Sequence, residues 1–291
     1  MLKLSEAAEP TARIEGAEEG VRAQPRPTRS GLVVFVPPLL ALVLLIALWY
    51  TLSYVLLDRD RRFMLPPPHQ VIEVGFLDRA NLTEILSGLR STTQVALTGL
   101  LISMAVGVSF ATLMSQGLFF ERAMFPYAQV IQTVPILALV PLIGFWFGFN
   151  FPARVIVCVL ISLFPIVTST LFGLKSVDRG LHDLFTLHGA SRQTRLVKLQ
   201  FPAALPAIFT GFRISAGASV IGAIVGDFFF RQGQAGIGRL LDVYRANLQA
   251  EMLFTAIFFS SVLGLAVFWS FGFVIAKVIG PWHESGQASA S

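Results

Sequence analysis

The sequence predicts an all-α protein that crosses a membrane six times, and three observations carry that fold class. Of 291 residues, 54% are hydrophobic and only 13% charged, with 26 phenylalanines, far from the balance of a soluble domain. Six apolar runs are long enough to cross a hydrocarbon core of about 30 Å, which takes roughly 20 helical residues. None alternates like a barrel strand, and a helix satisfies its own backbone where lipid offers no partner.

Residues 1–30 are rich in Glu, Ala, Arg and Pro and too poor in apolar residues to form a core, so they read as a disordered cytoplasmic tail. The first apolar run, 31–57, is about twice as long as a signal-peptide core and is followed by no small-residue cleavage site. It is expected to stay as a membrane helix, residues 31–63 forming that helix and the start of an outer loop. The second span lies within 91–120. The third lies within 123–153 and is interrupted by Pro126, Pro135 and Pro141. Spans four, five and six follow at 155–174, 205–226 and 252–276, the fifth carrying one charge, Arg213. Residues 281–291 read as a flexible tail.

The formal charge of +5 marks no nucleic-acid partner, because Lys and Arg are scattered between spans without interleaved aromatics. Their placement reports orientation instead, since cytoplasmic loops carry the excess of basic residues. Between spans four and five stand Lys175, Arg179, Arg192, Arg195 and Lys198 against Asp178 and Asp183. That loop is expected in the cytoplasm. Arg22, Arg26 and Arg29 ahead of the first span agree, and six crossings return the C-terminus with Lys277 to the same side. Arg59, Arg61 and Arg62 run against the rule, alternating with Asp58 and Asp60. Trp49, Tyr50 and Tyr54 suit the outer aromatic belt.

Several chemistries find no support. Cys158 is the only cysteine, which leaves neither a disulfide nor a thiolate metal site within one chain. His69, His182, His188 and His283 lack metal-ligand spacing, and no group of residues marks an activated nucleophile. No metal, bound cofactor or catalytic residue is expected. The phosphate cradle Gly-x-x-x-x-Gly-Lys-Ser/Thr is missing from the sequence. Gly236-Ile237-Gly238 follows no strand and lacks a third glycine, so it reads as a turn near the membrane surface. Five of the six runs read as free of ionisable groups, which disfavours a proton relay.

The segment 175–204 interrupts the apolar chain. Asp178 can cap a short helix that runs through His188, with Gly189 as its left-handed stop. Ser191 offers a second cap, and a second helix, 192–201, is expected to end where Pro202 removes a backbone donor. Leu181, Leu184, Phe185 and His188 share a face at helical spacing. Two readings are open: the face packs on the chain's own membrane helices, or it meets a partner.

These residues also resemble the cytoplasmic coupling loop of type I ABC importer permeases: Glu-Ala-Ala, three residues, Gly, nine residues, an aliphatic, one residue, Leu-Pro. Here the pattern stands as Asp183-Leu184-Phe185, then Gly189, Leu199 and Phe201-Pro202. Asp replaces Glu, and Leu-Phe replaces the small pair. Gly189-Ala190-Ser191, the run from Pro202 to Pro206, the run from Pro135 to Leu142, Phe147-Gly148 and Gly236-Ile237-Gly238 are similar to the nitrate, sulfonate and taurine branch. Asp227 closes the fifth span where that branch usually has Glu. The resemblance covers residues 64–280.

It implies the six-helix permease fold in a cell membrane and a non-enzymatic transport subunit that pairs with a copy of itself. It further implies ABC ATPase subunits that bind the ATP and dock on the loop, and an extracytoplasmic binding protein that delivers nitrate, a sulfonate or a taurine-like solute. Relatives that carry thiamine-precursor pyrimidines or riboflavin make an aromatic heterocycle the alternative. A self-sufficient carrier or channel is the reading from a different class. For the coupling loop the residues are Asp183, Leu184, Phe185, His188, Gly189, Ala190, Ser191, Leu199 and Pro202.

A translocation path or gate is expected along spans three and five. Pro135 and Pro141 free carbonyls beside Gln132, while Gly211, Ser215, Gly217, Ser219 and Gly222 form a small-residue surface that suits either the path and subunit interface or packing within one chain. Arg213 either snorkels to lipid headgroups or contacts solute. Asp227 either caps its span or acts as a gate.

Overall fold

The computed structural model describes residues 31–279. The tails expected at 1–30 and 281–291 lie outside them. Two compact units meet in the sequence between Leu48 and Trp49. What is described of the first is most of an apolar helix, α1 (Gly31–Thr51), whose last turn belongs to the second unit.

In the second unit the chain leaves α1 through a π-type turn (Leu52–Leu56) and a 3-10 turn (Arg59–Met64). Trp49 Nε1 donates to the Pro66 carbonyl at 3.0 Å and Ser53 Oγ to that of Leu65 at 2.8 Å, which fastens the turn. The helices α2 (Pro68–Val71), α3 (Arg79–Ser115), α4 (Leu118–Thr133), α5 (Ile136–Phe147) and α6 (Phe151–Lys175) follow. After them come α7 (Arg179–Leu187), α8 (Arg192–Arg195), α9 (Phe201–Phe229), α10 (Ile237–Ala246) and α11 (Ala250–Ile279). No strand occurs among the described residues.

Five unbroken stretches are long and apolar enough to cross a membrane: Val36–Leu56, Arg79–Ser115, Phe151–Lys175, Arg192–Phe229 and Ala250–Val274. A sixth is made by α4 and α5, which meet at a bend of 99°. The bend is local chemistry. Pro135 has no N–H to donate, and Val134 before it is extended at ψ 129°, the conformation a following proline imposes. Pro126 and Pro141, expected as further interruptions, lie inside α4 and α5. The helix that carries the second span starts well before the apolar run. Asp78 caps α3 by accepting Ala80 N–H at 2.8 Å, so the helix passes Glu84 and Arg90 before its apolar run begins.

α6 is the centre of the packing, and small residues explain how its neighbours reach it. α3 lies parallel to it: Gly99 faces Cys158, Ser103 faces Ser162 and Gly107 faces Ile166. α9 lies antiparallel, with Gly173 against Ala204, Gly211 against Ser169, Gly222 against Cys158 and Gly226 against Arg154. A Cβ on Gly99 would stand 2.3 Å from Cys158 Sγ, and one on Gly222 would stand 2.8 Å from Cys158 Cα. Apolar area alone does not drive helices together in lipid, so close backbone approach and internal hydrogen bonds must hold them. Those bonds are present: Ser103 Oγ lies 2.7 Å from Ser162 Oγ, and Ser215 Oγ donates to the Ser162 carbonyl at 2.7 Å.

Gly222→Val is therefore expected to destabilise the protein by about 1–3 kcal/mol or more, because the obstruction is backbone and cannot rotate away. Gly217→Val, one turn and a half earlier on the open side of α9, is the control. Thermal unfolding of the two purified variants in one detergent checks the contrast.

Candidate functional site

Local rules place the first candidate region. Asp178 Oδ1 accepts the Gly180 N–H at 2.7 Å and starts α7. The helix ends in a Schellman motif: Gly189 stands at φ 62°, its N–H meets the Thr186 carbonyl at 3.0 Å, and Ala190 N–H meets that of Phe185 at 2.9 Å. Ser191 Oγ then caps α8 through Thr194 N–H at 3.2 Å. The caps fall on the residues that the sequence marks for them.

The apolar face of α7 is not covered by the rest of the chain. Leu181 and Leu184 are 46% exposed and Leu187 is 85% exposed, while Phe185 is half-buried. Asp183, His188, Gly189 and Ser191 are exposed, Ala190 is half-buried, and His188 Nδ1 lies 2.9 Å from the Leu184 carbonyl. Packing of this face on the chain's own membrane helices, one of the two open readings, is not what the fold does.

Pro202 corrects a second expectation. It does not end a helix at residue 201; a π-type turn (Leu196–Gln200) joins α8 to α9, and Arg192–Phe229 runs as one helical stretch. The wider turn moves the preceding carbonyls from where a proline ring would strike them, so the helix continues. Leu199 in that turn is buried, and Pro202 is exposed at the second position of α9.

The second region is the bend between α4 and α5. Gln132 and Pro135 are exposed beside Gln129 and Thr133, and Pro141 is exposed on α5. Neither glutamine amide has a hydrogen-bond partner among the described residues. Uncovered amides at membrane depth are disfavoured against hydrocarbon, so this surface suits water or protein better than lipid.

On α9 the expected path splits. Ser215 and Ser219 are fully buried against α6, as are Gly211 and Gly222, so these residues pack within the chain and line no path. Gly217 points elsewhere, towards α11. Arg213 is half-buried, with its guanidinium 4.3 Å over the Phe268 ring.

Asp227 neither caps α9 nor lies open as a gate. It is fully buried, and its Oδ1 pairs with Arg154 Nη1 at 3.3 Å. Thr92 Oγ1 donates to Oδ2 at 2.5 Å and itself accepts the Ile237 N–H at 2.8 Å. Arg154 also donates to the carbonyls of Gln234 at 2.8 Å and Gln232 at 2.6 Å. The group clamps the loop after α9 onto α3 at Thr92, the start of α6 and the end of α9. It also accounts for the glycine motif. A Cβ on Gly236 would stand within 2 Å of the carboxylate, at 1.9 Å, and one on Gly238 would stand 2.1 Å from the Ile224 carbonyl. The start of α10 points at Asp227, and its positive end favours the carboxylate.

Five unbroken apolar stretches, a bent sixth and a short helix with an uncovered apolar face between the third and fourth of those stretches make up the arrangement. Residues 99–280 match the family described as binding-protein-dependent transport system inner membrane component. The chain belongs to that family. It is a type I ABC importer permease, a transport subunit of a multi-pass membrane protein class. The Formylaminopyrimidine transport permease protein ThiX of Halalkalibacterium halodurans is 30% identical over 85% of this chain and 96% of its own length. The Riboflavin transport system permease protein RibX of Chloroflexus aurantiacus is 30% identical over 57% of this chain and 60% of its own. A putative aliphatic sulfonates transport permease, SsuC of Escherichia coli, is 33% identical over 50% and 54%.

Sequence reasoning missed Arg154 in this permease. The fourth apolar run was read as starting at residue 155, just past it, whereas α6 starts at Phe151 and takes Arg154 inside at 2% exposure. A signal existed: consecutive spans are antiparallel, so a cation opening span four comes level with an anion closing span five.

Removing one partner from a buried ion pair leaves the other charge uncompensated, at a cost of about 3–5 kcal/mol. Arg154→Met and Asp227→Leu are each expected to lower the thermal stability of the permease strongly, and the double variant to lose less than the sum of the two. Unfolding curves of the four proteins in one detergent check this.

Proposed function

We propose that this permease imports a small solute across the cell membrane, with α7 and α8 as the docking element for cytoplasmic ABC ATPase subunits. The uncovered apolar face of α7 carries the reading: Leu181, Leu184 and Leu187 stay exposed although their helix is closed by caps at both ends. The sequence contains no phosphate cradle of its own, which supports ATP binding and hydrolysis on a partner. No covalent chemistry on the permease is called for.

The helical stretch Arg192–Phe229 supplies the mechanics. At about 1.5 Å per residue its 38 residues extend roughly 57 Å. A displacement at α8 reaches the Asp227 clamp through unbroken helix, whereas a flexible linker would absorb it. Nucleotide-bound ATPase then biases the inward-open and outward-open states by its unequal affinity for them.

A second copy of the chain completes the path, with Gln132, Pro135 and Pro141 at the α4–α5 bend facing it. An extracytoplasmic binding protein delivers the solute. Two solute classes stand: small anions such as nitrate, sulfonates or taurine, and pyrimidine-like heterocycles. The relative matched along 96% of its length is named for a formylaminopyrimidine, which favours the second.

The basic loop supports a cytoplasmic α7, with both termini on the same side. Thr186 is exposed and Cys158 buried, so Thr186→Cys adds one reactive thiol to a silent background. It is expected to react with a membrane-impermeant maleimide only after the cells are opened. Labelling of intact cells defeats the orientation.

Gly189→Pro and Leu184→Glu are expected to uncouple ATP hydrolysis from uptake, with normal amounts of permease in the membrane. Uptake at the parental rate in both variants defeats the docking role. For the solute, a thermal-shift screen of the partner binding protein against both classes is expected to show one stabilising ligand.

A further inference from the structure

The Arg213 guanidinium, deep in the long helix α9, has no anion among the described residues. Arg213 lies twelve residues beyond Phe201, about 18 Å along α9, and takes part in none of the ion pairs among the described residues. Its Nε is buried without a hydrogen-bond partner. The guanidinium rests 4.3 Å above Phe268 of α11, and Gly272, one turn on, leaves it room: a Cβ there would stand 3.6 Å from Cζ. An isolated cation in hydrocarbon is costly, so an anionic group is the expected companion.

Phe268 supplies the second observation. It also closes one end of a groove of about 470 Å³ between α9 and α11, whose walls include Gly217, Ile221, Gly264 and Leu265. Ile221 is 61% and Leu265 47% exposed, so the groove opens outward from the helix pair. A Cβ on Gly217 or Gly264 would find nothing nearer than about 4 Å, which shows how hollow the groove is.

Cation and groove come in a fixed order. Arg213 and Gly272 lie towards the α7 end of the membrane helices, and the groove runs from Phe268 away from that end, to Ser260 and Ile224. Lys277, exposed in the last turn of α11, adds a second cation about 8 Å beyond Gly272 along the helix, again on the α7 side. Charge on the α7 side and an apolar trough running from it towards the far end of the helices is the order of headgroup and acyl chain in a phospholipid of the leaflet on the α7 side.

We propose that α9 and α11 hold a phospholipid of that leaflet, its phosphate on Arg213 and one acyl chain in the groove. A guanidinium meets phosphate oxygens through two parallel N–H bonds, and basic pockets between membrane helices take lipid headgroups in this way. Phe268 holds the guanidinium plane by cation–π contact and leaves its N–H edge free for the phosphate. The assignment does not depend on which side of the cell α7 occupies.

Native mass spectrometry of the full-length permease, extracted from membranes and offered phosphatidylglycerol, tests it. The parent chain is expected to retain the lipid, Arg213→Gln to hold it about tenfold less well through loss of a charge-assisted contact, and Arg213→Lys to keep most of it. Gly217→Phe fills the trough, leaves Arg213 in place and is expected to lose the lipid too. Equal retention by the parent, Arg213→Gln and Gly217→Phe overturns the proposal. Full lipid retention with lost uptake in Arg213→Gln overturns it in favour of a solute contact. Loss of subunit association in Gly217→Phe with lipid unchanged overturns it in favour of a second copy.

Discussion

Everything in the second unit depends on how closely backbones approach along α6. Cys158 sits where α3 and α9 both come to touch it, opposite Gly99 on one side and Gly222 on the other, and neither glycine has space for a methyl group. In water such a seam would be reinforced by the burial of apolar surface. In lipid that help is withdrawn, and what remains is contact at short range and two hydrogen bonds across the seam, Ser103 hydroxyl to Ser162 hydroxyl and Ser215 hydroxyl to the Ser162 carbonyl. The seam sets the rotation of α9 about its own axis, and that rotation decides which residues are inside.

Two consequences follow from the rotation. Ser215, Ser219 and Asp227 turn towards α6, while Arg213 and Gly217 turn towards α11. Asp227 thereby comes level with Arg154, and the two charges, with Thr92 between them and the loop, hold the far end of α9 in place. The near end continues through the π-type turn into α8. One helical stretch thus runs from α8, which follows the uncovered α7 in the chain, to a clamped loop at the far end of α9.

Individual residues show how much of this could be read in advance. Asp178, Gly189 and Ser191 were legible because a cap is a contract between neighbours: the groups that satisfy one another lie within a few residues in the chain. Pro135 was legible for the same reason, since proline acts on its own N–H and on the residue before it. Pro202 was misread by that very rule. The relief comes from a change of helical pitch over Leu196–Gln200, which no single residue announces. Arg154 was missed because its partner stands 73 residues away.

By itself the sequence determined the helical class, the six crossings, the bounds of α7 and the lack of a phosphate cradle. Each rests on composition, on run length against membrane thickness, or on contacts between chain neighbours. Only the tertiary structure decided that the α7 face is uncovered, that Ser215 and Ser219 are inside, that Asp227 answers Arg154, and that Arg213 is left facing a groove. The physical reason is common to all four. Which side of a helix is covered depends on where its neighbours press against it, and that is settled by steric fit between segments far apart in the chain.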